Sequence, residues 1–383
     1  MKVGVNGLFV VPRGAGGTWT YLRSVMRELP RLDRAVEYTI FESREIAGAL
    51  DPDGAANVRQ VVCPVRAARR PIRLLYEYSA LPIQARRRQV DVLFCPSFTA
   101  PRYPGYATVV TIHDMRHEDL PETFPPLYRL MLTRLARRAA CGAAGILADS
   151  AYTKRRIVAA YHLPEDRVRV APLAADPHYF APVSHAEMAR VRRTYHLRDP
   201  YLFSLAAPGY QKNLDVVIDA FIALRRQSPA VRLVAPGFFH PGGAALRAKA
   251  RAAGTEGEVI PTGWIPDADL PALYQGAAAF IMPSRYEGFG IPVLEAMASG
   301  VPVVTTTATS LPEVAGDAAL LVAPDDAAAL TTALRRLLED ATLRDALIAR
   351  GNARARRFSW RETAQITLRE LRAAARRDPR RPA

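Results

Sequence analysis

The chain has 383 residues, 49% hydrophobic and 23% charged, an ordinary globular composition with length for two domains of usual size. Its formal net charge of +15 asks for an anionic partner, although local runs such as Arg86–Arg87–Arg88 and Arg134, Arg137 and Arg138 read equally as solvated faces. No apolar run approaches the roughly 20 residues of a membrane span, and "VGVNGLFVV" runs into Pro12 and Arg13 as a strand does, so the expected location is cytoplasmic, or peripheral on the inner face of the cell membrane.

Strand-like runs alternate with helical patterns from the start. Strands are predicted at 2–10, 36–42, 58–64, 90–96, 107–114 and 145–150, with helices near 18–29, 72–88, 127–141 and 151–161. A strand at 168 leads into a Pro-punctuated link, and the pattern restarts. The second series has strands at 201–206, 231–237, 258–265, 278–283, 301–306 and 318–324. Its helices lie near 213–226, 242–253, 268–276, 292–299, 326–339 and 341–356, and an amphipathic helix follows at 360–375. Buried β-runs alternating with helices mean parallel sheets covered on both faces. The fold class is therefore α/β, with two doubly wound Rossmann-like domains, 1–180 and 181–359, facing a cleft, and the last helix packing back on the first domain. Cys63, Cys95 and Cys141 are far apart and lack metal spacing, so each reads as a core residue. No zinc-finger spacing or aromatic-basic stretch is present, so nucleic acid is not an expected partner.

The stretch "PSRYEGFGIPVLEAMASGVPVV" from Pro283 to Val304 carries the most chemistry. A strand ends, a loop follows, and Pro292 suits the first position of a helix that stops at Gly300. Gly288, Phe289 and Gly290 then lie just before a helix N-terminus, where unpaired N–H groups attract phosphate and glycines allow close approach. Glu295 falls about one turn into that helix, placed to accept hydrogen bonds from the vicinal hydroxyls of a ribose. Glu287, in the loop, is placed to hold sugar hydroxyls. The bland alternatives are that Glu287 is a surface loop acid and that Glu295 only complements the helix dipole.

"EGFGIPVLE" resembles the E-x7-E motif of family 4 of the retaining glycosyltransferases, which have the GT-B fold. The similarity continues through "GWIPDADLPALYQGA" (263–277) and "SLPEVAGDAALLVAPDD" (310–326). "GAGGTWTYLRSV" (14–25), "VVTIHDM" (109–115) and "KNLDVVIDAF" (212–221) resemble other family segments, so nearly the whole chain is covered. The resemblance implies a nucleotide-sugar donor on the C-terminal domain and a saccharide or glycolipid acceptor on the N-terminal one. By matched position it assigns catalytic roles to His113, Lys212 and Glu287. Binding roles fall to Gly16, Gly17, Asp114, Gly288, Phe289, Gly290 and Glu295. Trp264 either stacks on a base or fills the core. Asp114 either orients a neighbour or caps the next segment. Lys212 sits at a helix start, an unfavourable place for a cation on dipole grounds alone.

The "HDMRHEDLPETFPP" segment (113–126) looks most like bacterial mannosyltransferases of polysaccharide assembly, which points to GDP-mannose, with UDP-sugars close behind. No cofactor is expected, and the implied chemistry is metal-independent. "DPD" (51–53) reads as a turn, and Asp267 of "DAD" (267–269) as a helix N-cap. One departure stands out: near Ala206–Ala207 the family usually carries an Arg that helps hold the diphosphate. Lost charge stabilisation at a leaving group is typically worth about 3 kcal/mol. Three alternatives stay open: Arg285 substitutes, an Arg of the N-terminal domain substitutes, or the enzyme is slow. A competing reading is a GT-B-fold binding protein of weak catalytic power that holds an anionic polymer. A phosphorylase reading lacks a cofactor lysine, "GAGGTWT" lacks dehydrogenase spacing, and there is no Walker A motif.

Overall fold

The computed structural model describes residues 1–11, 16–50, 54–101 and 106–376. Its contacts divide the chain into two compact units, Met1–Leu173 with Ser359–Ala383, and Ala174–Phe358.

The first unit runs β1 (Lys2–Gly7), α1 (Gly16–Leu32), β2 (Glu37–Glu42), β3 (Val58–Val62), α2 (Arg70–Arg87), β4 (Val92–Cys95) and β5 (Ala107–Ile112). Then come α3 (Arg116–Asp119), α4 (Pro126–Gly142), β6 (Gly145–Ala148), α5 (Ala151–Tyr161) and β7 (Val168–Val170). The second unit runs α6 (His185–Thr194), β8 (Tyr201–Phe203), α7 (Leu214–Arg225), β9 (Arg232–Val234), α8 (Ala244–Ala252), β10 (Val259–Ile260) and α9 (Leu270–Gln275). It continues through β11 (Ala279–Met282), α10 (Ile291–Ala298), β12 (Val303–Thr306), α11 (Leu311–Ala315), β13 (Leu320–Val322), α12 (Ala327–Glu339) and α13 (Ala341–Ala355). The last helix, α14 (Trp360–Arg376), returns to the first unit.

Every strand pair is parallel, and the central strands are buried along their length, as crossover helices on both faces require. The first sheet has the order β3-β2-β1-β4-β5-β6-β7 and the second β10-β9-β8-β11-β12-β13. In each, the chain winds outward in one direction and then in the other. The reversal falls between β1 and β4 in the first unit and between β8 and β11 in the second. Ligands of such sheets bind beyond the C-terminal strand ends at this reversal, where the flanking loops part.

Observed strands are shorter than the apolar runs that announce them. β10 covers only Val259–Ile260 of the predicted 258–265 run, because the residues after it turn towards α9 without joining the ladder. Of the cysteines, Cys63 and Cys95 are buried as expected, but Cys141 is exposed near the end of α4, which corrects its core reading.

Helix α14 lies against α1, with Trp360 and Tyr21 ring centroids 6.4 Å apart. Thr363 Oγ1 donates to the Pro172 carbonyl, and Glu370 is nearly buried over the start of β6. A Cβ at Gly145 would collide with the Glu370 side chain, which explains a glycine at the head of a core strand.

Candidate functional site

In the second unit the loops after β8 and β11 border the strand reversal, and most of the singled-out residues sit on them. The chain leaving β8 turns at Gly209, whose φ of +137° favours glycine. Asn213, itself left-handed at φ 55°, then ties three loops together. Its Nδ2 donates to the Pro283 carbonyl at 3.1 Å and to the Pro324 carbonyl at 2.5 Å. Lys212 is thereby placed against the loop after β11, and its Nζ meets Glu287 Oε1 at 2.7 Å. Ser284 Oγ donates to the same oxygen at 2.7 Å. Both catalytic candidates of this unit therefore touch.

The end of β11 and the loop from Pro283 to Gly290 are pinned by hydroxyls of β12 and of the segment that follows it. Thr305 Oγ1 donates to the Met282 carbonyl at 2.9 Å and Thr306 Oγ1 to that of Ser284 at 2.7 Å. Ser310 Oγ reaches the carbonyls of Glu287 and Phe289, both at 2.9 Å, and the Glu287 N–H donates to Thr309 Oγ1 at 3.0 Å. Gly290 precedes α10 with φ +107°, and a side chain there would strike Leu311. Pro292 is the second helical residue, one place later than the sequence reading, and Gly300 ends the segment with φ +73°. Phe289 contributes no ring to a ligand: it is buried, edge-on to Phe358 at 5.8 Å.

Glu295 keeps part of its surface accessible, yet its carboxyl is crowded. Tyr274 donates to Oε2 at 3.0 Å and Tyr179 bonds the carboxyl too. Burial pushes the Glu295 carboxyl up to about 7, against the lowering effect of the tyrosine hydroxyls and of nearby His178, and with Asp267 adding to the rise.

Ala206 lines a cavity of about 30 Å³ shared with Leu205, Lys212, Ser284 and Pro292. Arg285 does not join this cluster. Its Nε pairs with Asp325 at 2.6 Å, it donates to the Tyr210 carbonyl at 2.7 Å, and it lies 4.6 Å over the Tyr210 ring. Trp264 is 71% exposed, so the core alternative for it is ruled out. Asp267 does not cap α9. Asp269 holds the cap position, and its carboxylate is bound by Arg190 and Tyr195. The "DPD" run lies outside the described residues.

In the first unit His113 follows β5 and is buried. Its Nδ1 is 2.8 Å from Asp149 Oδ2 and its Nε2 is 3.3 Å from the Pro96 carbonyl, so both ring nitrogens face acceptors. Burial disfavours the imidazolium, but Asp149, the Pro96 carbonyl and Asp114 outweigh it, and the His113 pKa is raised. Tyr21 packs edge-on at 4.8 Å. Asp114 accepts from the Arg116 N–H at 2.9 Å, which is its capping alternative. Gly16 and Gly17 begin α1 and are exposed; Gly16 has φ +49° and open space at its Cβ. Asp149, Tyr179, Tyr274 and the Thr305–Ser310 hydroxyls were not singled out from sequence. Asp149 had one readable signal, its place at the C-terminal end of a β-run.

Two family models match the chain: Glycosyltransferase Family 4 over residues 15–179 and Glycosyl transferases group 1 over residues 190–354. The O-antigen chain mannosyltransferase B of Escherichia coli is 33% identical over 275 residues, 71% of this chain and 72% of that protein. The GDP-mannose-dependent alpha-(1-6)-phosphatidylinositol monomannoside mannosyltransferase of Mycolicibacterium smegmatis is 34% identical over 204 residues, 50% of this chain and 52% of that protein. Among solved structures, Anabaena HepE in complex with UDP and glucose has a TM-score of 0.75 at 18% identity, covering 97% of this chain and 99% of that one. WaaG, a glycosyltransferase involved in lipopolysaccharide biosynthesis, has a TM-score of 0.74 at 17% identity, with coverage of 97% and 99%. The two structural likenesses bear on the fold.

The raised Glu295 pKa has a consequence with a definite sign. The folded chain holds this proton more tightly than the unfolded one. Its favourable contribution to stability is therefore whole below the ordinary glutamate range and is lost as pH rises through about 7. A carboxyl-selective NMR titration is expected to place the Glu295 midpoint near 7; a midpoint in the ordinary range of about 4–5 would contradict the packing described.

Proposed function

Because this chain belongs to family 4 of the GT-B glycosyltransferases, and is a transferase, we propose that it moves mannose from GDP-mannose to a hydroxyl of a saccharide or lipid-linked acceptor, with retention at the anomeric carbon. The observation that carries the reading is the Lys212–Glu287 contact of 2.7 Å at the start of the loop into α10, with Glu295 one turn into that helix. The mannosyl choice is supported by the similarity to the two mannosyltransferases above.

The donor is assigned to the second unit. Glu295 takes the ribose hydroxyls. Glu287, with Oε1 already held by Lys212 and Ser284, offers its second oxygen to sugar hydroxyls. Lys212 and the α10 N-terminus stabilise the diphosphate as the C1–O bond to it breaks. The acceptor oxygen bonds to C1 on the same face, and its proton passes to the leaving phosphate oxygen, giving a nucleoside diphosphate. His113, held by Asp149 through Nδ1, is the catalytic group proposed for the first unit. Cations and dipoles fill the part that a metal plays elsewhere, so no cofactor is assigned.

For the acceptor side we favour contact with an anionic membrane. Leu75 is 70% and Leu127 80% exposed, on α2 and α4, and Ile72, Leu130 and Met131 are exposed on the same helices. Arg70 joins the two helices by lying over the Tyr128 ring at 5.7 Å, and Arg86 and Arg87 end α2. Apolar side chains with arginines among them match an interface that is oily below and negatively charged above.

Two outcomes are expected. GDP release from GDP-mannose across a panel of free and lipid-linked mannosides should exceed release from UDP-sugars. Lys212→Ala should lower kcat by roughly 10²–10³-fold, and the product should keep the donor's anomeric configuration. Equal or faster turnover with a UDP-sugar overturns the donor, and an inverted product overturns the mechanism. Separately, the protein should bind phosphatidylglycerol vesicles at low salt, more weakly at high salt, and poorly as Leu75→Glu with Leu127→Glu. Binding that ignores both salt and these substitutions removes the membrane surface.

A further inference from the structure

Glu295 is held by two tyrosines from different parts of the second unit. Tyr274 belongs to α9 and is fully buried, wedged against Phe203 at 5.1 Å, Phe280 at 5.0 Å and Tyr179 at 5.7 Å between centroids. Tyr179 precedes α6 and is 3% exposed. Neither ring has room to swing, so their hydroxyls are fixed donors. Burial keeps both phenols neutral, with pKa values raised.

A carboxylate has about four lone-pair directions. Two tyrosine hydroxyls occupy two of them, which leaves capacity for the two hydroxyls of a vicinal diol. We infer that Tyr179 and Tyr274 are positioning residues for donor binding, holding the Glu295 carboxylate in the one orientation that accepts the ribose diol. This rests on the assignment of Glu295 to the ribose.

Position and charge are linked here. Hydrogen bonds donated to a carboxylate favour its ionised form. The other charged groups that act on Glu295 are His178, which favours ionisation, and Asp267, which opposes it; His178 is itself bonded to Asp176 at 2.8 Å. Without one tyrosine hydroxyl the carboxyl loses both its aim and part of its charge near neutral pH. The sign follows: the ionised form is the better acceptor, so donor KM falls as pH rises through the Glu295 midpoint, and loss of a tyrosine hydroxyl moves that fall to higher pH.

The test is donor KM measured from pH 6 to 9 with GDP-mannose, or with free GDP binding by calorimetry if turnover is low. The unaltered protein should gain roughly tenfold in donor affinity between pH 6 and pH 8. Glu295→Gln should raise KM and flatten the profile. Tyr274→Phe and, independently, Tyr179→Phe should raise KM more than they change kcat and shift the midpoint upward. Each variant removes one oxygen and keeps the ring, and Tyr179→Phe serves if Tyr274→Phe fails to fold. A raised KM with an unmoved midpoint in both variants overturns the positioning role and leaves the ribose assignment standing. An unchanged donor KM in Glu295→Gln overturns the ribose assignment itself.

Discussion

Between Met282 and Ile291 the chain leaves a buried strand and enters a buried helix, and the backbone polar groups in between have no ladder to join. Buried groups of this kind must be satisfied or the loop will not hold one shape. The answer is a set of hydroxyls: Thr305, Thr306 and Ser310 donate to four carbonyls of the strand end and loop, and Thr309 accepts from the Glu287 N–H. Loop geometry is thus set by side chains of the next strand and its exit. Once the loop is held, Glu287 meets Lys212, Gly290 takes its left-handed turn, and α10 starts where it must.

The charges are arranged on that frame. Glu287 is paired before any ligand arrives, with a cation and a hydroxyl on one oxygen. Pairing avoids an isolated buried charge and fixes the ammonium in place. Glu295 takes hydroxyl donors from Tyr274 and Tyr179, and burial outweighs them, so its pKa rises. The two acids, eight residues apart on the loop and on α10, therefore sit among different partners. Arg285, the guanidinium closest in sequence to Glu287, pairs with Asp325, and Lys212 is the cation that lines the small cavity beside Ala206 among the described residues.

The alternation of strands and helices was legible because burial on both faces makes each strand a continuous apolar run. Gly290, Pro292 and Gly300 were legible because caps and positive-φ turns are local demands. Strand ends were not: apolar residues such as Ile265 continue into loops that pack without pairing. Partners were the least legible. Asp149 reaches His113 across 36 residues, and Tyr274 reaches Glu295 across 21, distances at which spacing carries no signal. Asp267 was misread as a cap because the local pattern fits it, while tertiary bonds to Arg190 and Tyr195 go to Asp269. Cys141 was misread because burial frequency speaks for a residue type, not for one side of α4.

The central claim is that the strand reversal of the second unit, between β8 and β11, receives the donor's diphosphate and ribose. Hydrogen–deuterium exchange with and without GDP-mannose tests it most directly. The account predicts slowed exchange in the segments 204–214, 283–298 and 305–311, with Glu295→Gln and Lys212→Ala reducing the effect. Protection confined to segments of the first unit, with these three unchanged, would contradict it.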